Sequence, residues 1–151
     1  MSRLLGIDLG EQRVGLAIGD TGAGTSHAYI SLTRGSLDDD VRRLARVVAE
    51  QRVDELVIGL PLLASGVEGT QAGITRAWGA AVAARLGLPV RWQDERFSSL
   101  AAEATVGPAR RGHAGGPPGR AARDRQRAAV DREAARRIVQ AALDARGEVS
   151  A

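Results

Sequence analysis

The spacing of apolar residues divides the chain into a strand-rich first part and a mixed second part. Apolar runs at residues 4–9, 14–18 and 28–32 are separated by short polar or glycine-rich links. Links of this length join neighbouring strands of a sheet as hairpins. The first part of the chain therefore predicts a three-stranded antiparallel meander.

After residue 35, segments with apolar residues at helical spacing alternate with short apolar runs. This pattern predicts helices over residues 36–51, 70–86, 98–106 and 124–146, and strands over residues 56–60 and 90–93. A strand that is reached through a helix usually pairs in parallel with the preceding one. We therefore expect an α/β fold with a mixed five-stranded sheet, in which three antiparallel strands are followed by parallel additions, flanked by helices.

The length and composition fit one globular domain over residues 1–151. Of these residues 44% are hydrophobic and 26% are charged, as in ordinary globular proteins. The absence of cysteine excludes disulfide frameworks, thiolate metal sites and cysteine nucleophiles. The sequence also lacks a secretory pattern and an apolar run long enough for a membrane span, so we expect a cytoplasmic protein.

The charge is distributed unevenly along the chain. All 21 basic residues are arginine, and residues 107–137 hold nine of them against three acids. Within this stretch, residues 107–123 are rich in Gly and Pro and predict a mobile basic loop. A basic segment on a mildly acidic body is typical of nucleic-acid binding, and Arg110 and Arg111 are its candidate phosphate contacts. A solvated helix face beside a flexible loop, in a chain that uses Arg in place of Lys throughout, would give the same pattern.

Acidic residues stand in or beside two of the predicted strands. Asp8 interrupts the first apolar run between Gly6 and Gly10, and an unpaired carboxylate inside a sheet is costly unless a cation or another partner neutralises it. Asp94 and Glu95 close the last strand, and alternation points them to opposite faces, so only one of them can share a site with Asp8. The simpler alternatives are an aspartate that caps the turn after the first strand, and surface ion pairs of the other two acids with nearby arginines.

A third acid, Asp131, lies on the face of the last helix that should pack on the sheet. It precedes two alanines and Ile138 at helical spacing, and the alanines allow a close approach of the helix to its neighbour. The simpler alternative is a slightly rotated helix in which Asp131 pairs with Arg127 or Arg132.

Carboxylates from the first strand, the last strand and a late helix can converge only if their like charges are neutralised. An all-oxygen ligand set favours Mg²⁺ or Mn²⁺. Two such ions about 4 Å apart suit hydrolysis at phosphorus, because they activate a water and stabilise the leaving oxygen. The basic segment next to Asp131 would supply phosphate contacts.

Five short blocks that occur in order along residues 3–143 carry a family resemblance. They are GIDLG (6–10) with RVGLAI (13–18) and Asp20, VIGLPL (57–62), Gly66 with EG (68–69), PV (89–90) leading to DER (94–96), and Asp131 with AA (134–135) and Ile138. Together they resemble the YqgF (RuvX) family, Holliday-junction-resolvase-like members of the ribonuclease H superfamily. The resemblance implies a ribonuclease H-like fold and a metal-dependent nuclease that trims the 5′ end of pre-16S rRNA, with kinship to enzymes that resolve DNA junctions.

The same resemblance implies roles for individual residues. It gives the catalytic and metal-binding role to three acids: Asp8, Glu95 and Asp131. Glu95 is thereby favoured over Asp94, and Mg²⁺ or Mn²⁺, as two ions, is the implied cofactor. Two arginines beside the site would contact phosphate: Arg13 and Arg96.

Three functional hypotheses follow. The first is a nuclease that acts on structured RNA such as pre-16S rRNA. The second is a four-way DNA junction resolvase, which would need a homodimer to make two symmetric cuts; some resolvase relatives have a further acid where this chain has Ala128, which weakens this hypothesis. The third is a nucleic-acid-binding module with a vestigial site, and the presence of all three acids speaks against it.

Overall fold

A mixed five-stranded sheet forms the centre of the molecule. The computed structural model describes the backbone of residues 1–96 and 98–150 and the side chains of residues 1–96 and 100–147. In chain order the elements are β1 (Arg3–Leu9), β2 (Arg13–Asp20), β3 (Thr25–Thr33), α1 (Leu37–Gln51), β4 (Glu55–Leu60), α2 (Thr70–Leu86), β5 (Val90–Asp94), α3 (Ser98–Val106) and α4 (Arg120–Ser150). A short 3-10 turn, His113–Gly115, lies in the connection between α3 and α4.

The strand order of the sheet is β3-β2-β1-β4-β5, which places β1 in the middle. β2 pairs with β1 and β3 in the antiparallel sense, whereas β4 pairs in parallel with β1 and β5. The predicted α/β fold, with three antiparallel strands and parallel additions, is confirmed. Because β1 has a neighbour on each side, a side chain at its carboxyl end stands at the centre of that edge of the sheet.

The two faces of the sheet are covered by different helices. Leu5 and Ile7 of β1 belong to the core under α1 and α2, whereas Leu4 of β1 and Val57 of β4 belong to the core under α4. Successive residues of a strand point to opposite faces. Asp8 lies four residues after Leu4 in the same strand, so the two side chains point to the same face. The side chain of Asp8 therefore points toward α4.

α4 lies very close to the sheet because it crosses glycines of β1 and β2. A Cβ at Gly6 would stand 2.7 Å from the carbonyl oxygen of Ala135, and a Cβ at Gly15 would overlap the carbonyl oxygen of Asp131. Any side chain at these positions would push the helix away, so glycine is required for the close approach.

Several elements differ in detail from the sequence-based expectation. β3 runs from Thr25 to Thr33, where the apolar run covered only residues 28–32. α4 begins at Arg120 rather than at residue 124, because two consecutive alanines after Arg120 favour the helix. The spacing of Ile74 to Trp78 and Val82 predicted that it lies on the buried stripe of α2. In the structure Ile74 is 46% exposed, and Thr75 is buried instead. Neither α4, with its 31 residues, nor any other helix of the described chain is apolar enough to span a membrane.

Candidate active site

Asp8 stands near the carboxyl end of β1, on the face that α4 covers. Its cross-strand neighbour in β2 is Gly15, and the backbone of Asp131 in α4 lies directly over that glycine. Strand register and close helix packing therefore bring Asp8 and Asp131 to one corner of the molecule. Asp8 is only 7% exposed, so it is a buried acid and not a solvent-facing cap of the turn after β1.

Glu95 reaches the same corner from the end of β5. Its backbone N–H donates to the carbonyl oxygen of Leu60 at 3.2 Å, which extends the parallel ladder one residue beyond the strand. Its side chain lies over Gly59 of β4, where a Cβ would stand 2.8 Å from Glu95 Oε2. Asp94 is engaged elsewhere, because its Oδ2 accepts a hydrogen bond from Arg96 Nε at 2.9 Å. Of the two acids that strand alternation left open, Glu95 is the one that lies in the corner.

The carboxyl groups of Asp8 and Glu95 share a hydrogen bond. Burial, and then the neighbouring charge of Asp8, raise the pKa of Glu95 to about 10. Burial also raises the pKa of Asp8 to about 6, against the opposing effect of the hydrogen bond from Glu95. At neutral pH the raised pKa values favour one proton kept between the two carboxyl groups. Glu95 Oε2 is buried and has no hydrogen-bond partner among the described residues.

Asp131 stands at the rim of this corner and is held by Arg13. Arg13 Nε donates to Asp131 Oδ2 at 3.1 Å, and the two side chains are 18% and 23% exposed. Burial raises the pKa of Asp131, while Arg13 and then the charges of Arg127 and Arg132 oppose the rise. The charge of Asp131 in turn raises the pKa of Asp8. The ion pair that the sequence left open for Asp131 is thus made with Arg13 of β2 and not with its neighbours on α4.

Two clefts open beside Asp131. One, of about 250 Å³, lies against the β1–β2 turn, residues 10–13. The other, of about 350 Å³, lies between α3 and α4 and is lined by Glu103, Gln126 and Val130. Three side chains line both clefts: Arg13, Arg127 and Asp131. Together the clefts give a polyanion access to the rim of the acidic corner.

A larger cavity, of about 520 Å³, lies near the other end of α4. Arg91 and Arg146 are among the residues that line it, and none of its described lining residues is an acid. It offers no carboxylate chemistry, so the smaller clefts are the relevant ones.

The sequence did not single out Arg127, Gln126 or Glu103 as cleft residues. A signal existed for Arg127, since it precedes Asp131 by four positions and so shares its face of α4. No such signal exists for Glu103, because only the packing of α3 against α4 brings it to the cleft.

The other arginines proposed from the sequence have different surroundings. Besides its bond to Asp94, Arg96 NH1 donates to the carbonyl oxygen of Ala64 at 3.3 Å, so it ties β5 to the β4–α2 connection. Arg110 is exposed, and Arg111 NH1 donates to the carbonyl oxygen of Gly115 within its own segment. In the described part of the chain only Arg13, among the four proposed arginines, contacts one of the three acids.

The corner has the donor chemistry of a hard-cation site. Among the described residues no group of three or more possible ligands stands close enough together to hold a metal ion as it is, since Asp131 is turned to Arg13. Asp8 and Glu95 nevertheless offer paired carboxyl oxygens, one of them buried without a partner. A divalent cation that replaced the shared proton would neutralise the pair, and carboxylate oxygens are preferred ligands of Mg²⁺ and Mn²⁺. The residues present therefore fit such an ion.

Comparison with known proteins gives a consistent result over nearly the whole chain. A family model described as "RuvX: Holliday junction resolvase" matches residues 2–145. The "Putative pre-16S rRNA nuclease" of Anaeromyxobacter dehalogenans (strain 2CP-C) is 40% identical over 144 residues, 95% of this chain and 98% of that protein. A protein of the same name from Burkholderia ambifaria (strain MC40-6) is 37% identical over 142 residues, 93% of this chain and 88% of its own.

Among solved structures, RuvC of T. thermophilus in complex with a Holliday junction substrate has a similar fold. The TM-score is 0.53 at 13% sequence identity, over 97% of this chain and 96% of the RuvC chain. At this identity the likeness establishes the fold alone. It confirms the ribonuclease H-like architecture that the sequence blocks implied.

Proposed function

This chain belongs to the RuvX family and is a nuclease, and we propose that it hydrolyses phosphodiester bonds at the corner formed by Asp8, Glu95 and Asp131. Mg²⁺ or Mn²⁺, as two ions, is the proposed cofactor. The 5′ end of pre-16S rRNA is the proposed substrate, which implies a cytoplasmic protein.

The observation that carries this proposal is the buried pair of Asp8 and Glu95, which are 7% and 9% exposed. Two buried carboxyls destabilise a fold unless something neutralises them. The raised pKa of Glu95 reflects this cost, and Glu95 Oε2 has no hydrogen-bond partner among the described residues. A pair of this kind supports the fold poorly. It is the arrangement expected of groups that are kept for binding a cation.

Each residue of the corner has a distinct task in the proposed reaction. When bound, the divalent ions supply the charge that activates a water and stabilises the leaving oxygen. Asp8 and Glu95 would hold the ions from the buried side, which fixes the centre to the carboxyl ends of β1 and β5. Asp131 borders the two clefts, so it is the acid nearest to where a water and a phosphate would enter. Arg13 and Arg127 line the same clefts and place positive charge beside the entering phosphate.

The choice of RNA rests on the relatives that share 35–40% identity with this chain and are named after pre-16S rRNA. The family description favours a second substrate, a four-way DNA junction. That alternative requires a homodimer for two symmetric cuts. We also propose that residues 1–151 act as one domain, in which the segment 107–123, with Arg110 and Arg111, and Arg96 near the site hold the nucleic acid. The last four residues of this segment, 120–123, belong to α4 and not to the predicted loop.

Cleavage of two substrates side by side tests the proposal. An end-labelled RNA that carries a 16S 5′ leader and a labelled four-way DNA junction are incubated with Mg²⁺, Mn²⁺ or EDTA. We expect metal-dependent cutting of the RNA and no paired cuts in the junction. Paired cuts in the junction alone would identify a resolvase. Binding of both substrates without cleavage under any condition would identify a non-catalytic binding module.

A further inference from the structure

The contact between Arg13 and Asp131 links the beginning of β2 to the middle of α4. It joins residues that are 118 positions apart, through one hydrogen bond from Nε to Oδ2 at 3.1 Å. Arg13 is itself anchored, because its carbonyl oxygen accepts from the N–H of Gly10 at 2.8 Å and closes the turn after β1. The guanidinium is therefore presented from a defined backbone position.

This hydrogen bond uses only part of each side chain. In the described part of the chain, no further hydrogen bond is made by the two terminal nitrogens of Arg13 or by Oδ1 of Asp131. Both side chains line both clefts. Arg13 thus has a fork of donors available to an anion while its Nε holds the carboxylate of Asp131.

We propose that Arg13 is a positioning residue for Asp131: its Nε–H holds the carboxylate at the rim of the Asp8–Glu95 corner, between the two clefts, while its terminal nitrogens bind the substrate phosphate. The inference rests on the proposed function and adds to it. One side chain would thus join the third carboxylate to the phosphate contact. Asp131 Oδ1 remains available to a cation throughout.

A purely structural ion pair would not explain the arrangement. Pairs between partly exposed side chains add little to stability, and any cation at the rim would screen Asp131. The hydrogen bond, by contrast, requires an N–H donor at the position of Nε. A glutamine at this position carries its side-chain N–H the same number of bonds from Cα, whereas a methionine of the same length carries no donor.

Two variants of equal charge and length therefore isolate the hydrogen bond: Arg13→Gln and Arg13→Met. Mn²⁺ binding is measured by titration calorimetry on the free protein. RNA binding is measured in EDTA as a function of salt, with the 16S leader RNA. We expect the Met variant to bind Mn²⁺ about tenfold more weakly than the Gln variant, the usual effect of losing a residue that orients a metal ligand. Both variants should lose RNA affinity to the same extent. The slope of log K against log salt (the salt slope) should fall by the equivalent of about one phosphate contact.

Arg127→Gln is the control for charge, since this residue lines the same clefts and Asp131 is bonded to Arg13 instead. It should lower the salt slope without weakening Mn²⁺ binding. Equal Mn²⁺ affinity of Arg13→Gln and Arg13→Met, or a loss in Arg127→Gln as large as that in Arg13→Met, would overturn the positioning role. Wild-type RNA affinity in Arg13→Gln would overturn the phosphate role.

Failure of the proposed function would give a different result. Wild-type protein and Asp8→Asn would then bind Mn²⁺ equally weakly, and the Arg13 proposal would fall with the metal centre. If the wild-type protein binds Mn²⁺ and Asp8→Asn does not, the comparison of the two Arg13 variants decides the Arg13 proposal.

Discussion

Asp8 and Glu95 are buried side by side, and their raised pKa values govern the chemistry expected of the candidate site. Burial is the first cause of both raised pKa values, about 6 for Asp8 and about 10 for Glu95. At pH 7 the pair therefore carries close to one negative charge rather than two. Any cation that takes both carboxylates as ligands has to displace the proton of Glu95.

This displacement predicts a pH dependence of metal binding. Because the pKa of Glu95 lies above neutral pH, Mn²⁺ binding at pH 7 should release about one proton, and the affinity should rise by up to about tenfold per pH unit between pH 7 and 9. Calorimetry in two buffers with different ionisation enthalpies measures the protons released. Glu95→Gln, which has no proton to lose, should show weaker binding without this dependence. Buffer-independent binding heats in the wild-type protein would contradict the account.

The sequence located the acids of the site but not their contacts. Asp8 and Asp131 stood out because each is an acid on an apolar face, which a local pattern reveals. The choice between Asp94 and Glu95 depends on how β5 pairs with β4, and that register is a long-range property. The partner of Asp131 lies 118 positions away, so helical spacing pointed only to arginines on α4. The catalytic roles of the three acids stay predictions.

Among the elements, the packing of α4 on glycines matters most for the site. Gly15 of β2 pairs with Asp8 and lies under the backbone of Asp131. The distance between Asp8 and Asp131 therefore depends on the absence of a side chain at Gly15.

Replacing Gly15 by alanine should displace α4. The new Cβ would overlap a backbone carbonyl that cannot rotate away, so we expect destabilisation by about 1–3 kcal/mol, typical of overpacking, and weaker Mn²⁺ binding. Denaturant unfolding measures the first effect and calorimetry the second. Gly73→Ala is the matched control, since nothing lies within 4 Å of a Cβ at that position in α2; it should be neutral or stabilising. Equal stability of the Gly15 variant and the wild type would show that the helix is free to shift.

The elements themselves were largely predictable because their signals are local. Ser36 precedes α1 and forms a capping box with Asp39, and Gly87 ends α2 in the left-handed conformation, so the bounds of both helices follow from short motifs. The beginning of α4 lacked such a motif, and the prediction placed it four residues too late. The exposed position of Ile74 depends on the rotation of α2 against the sheet, which tertiary packing sets.

At the scale of the whole molecule, the basic stretch of the chain leads into α4 and includes Asp131 of the acidic corner. Residues 107–137 carry nine arginines, and this stretch ends on the helix that contributes Asp131. The charge asymmetry would direct a polyanion toward the clefts and not toward the face covered by α1 and α2.

Removing two charges from this segment tests its role. Arg110→Ala combined with Arg111→Ala should weaken RNA binding and reduce the slope of log K against log salt by up to about two contacts. Binding in EDTA at several salt concentrations gives the slope. Arg42→Ala combined with Arg46→Ala, on the exposed side of α1, removes the same charge from the opposite face and should leave the slope unchanged. An identical loss in both double variants would indicate a non-specific charge effect.

The central claim is that the buried acids are the centre of a metal-dependent nuclease. The most direct measurement is single-turnover cleavage of the 16S leader RNA in Mg²⁺ by the wild-type protein and Asp8→Asn, with RNA binding and thermal unfolding recorded on the same samples. We expect Asp8→Asn to keep the fold and to bind RNA at least as tightly, because the substitution removes one buried negative charge without a change of shape, but to lose cleavage by several orders of magnitude. Cleavage by a folded Asp8→Asn at the wild-type rate would show that the buried acids are not the nuclease centre.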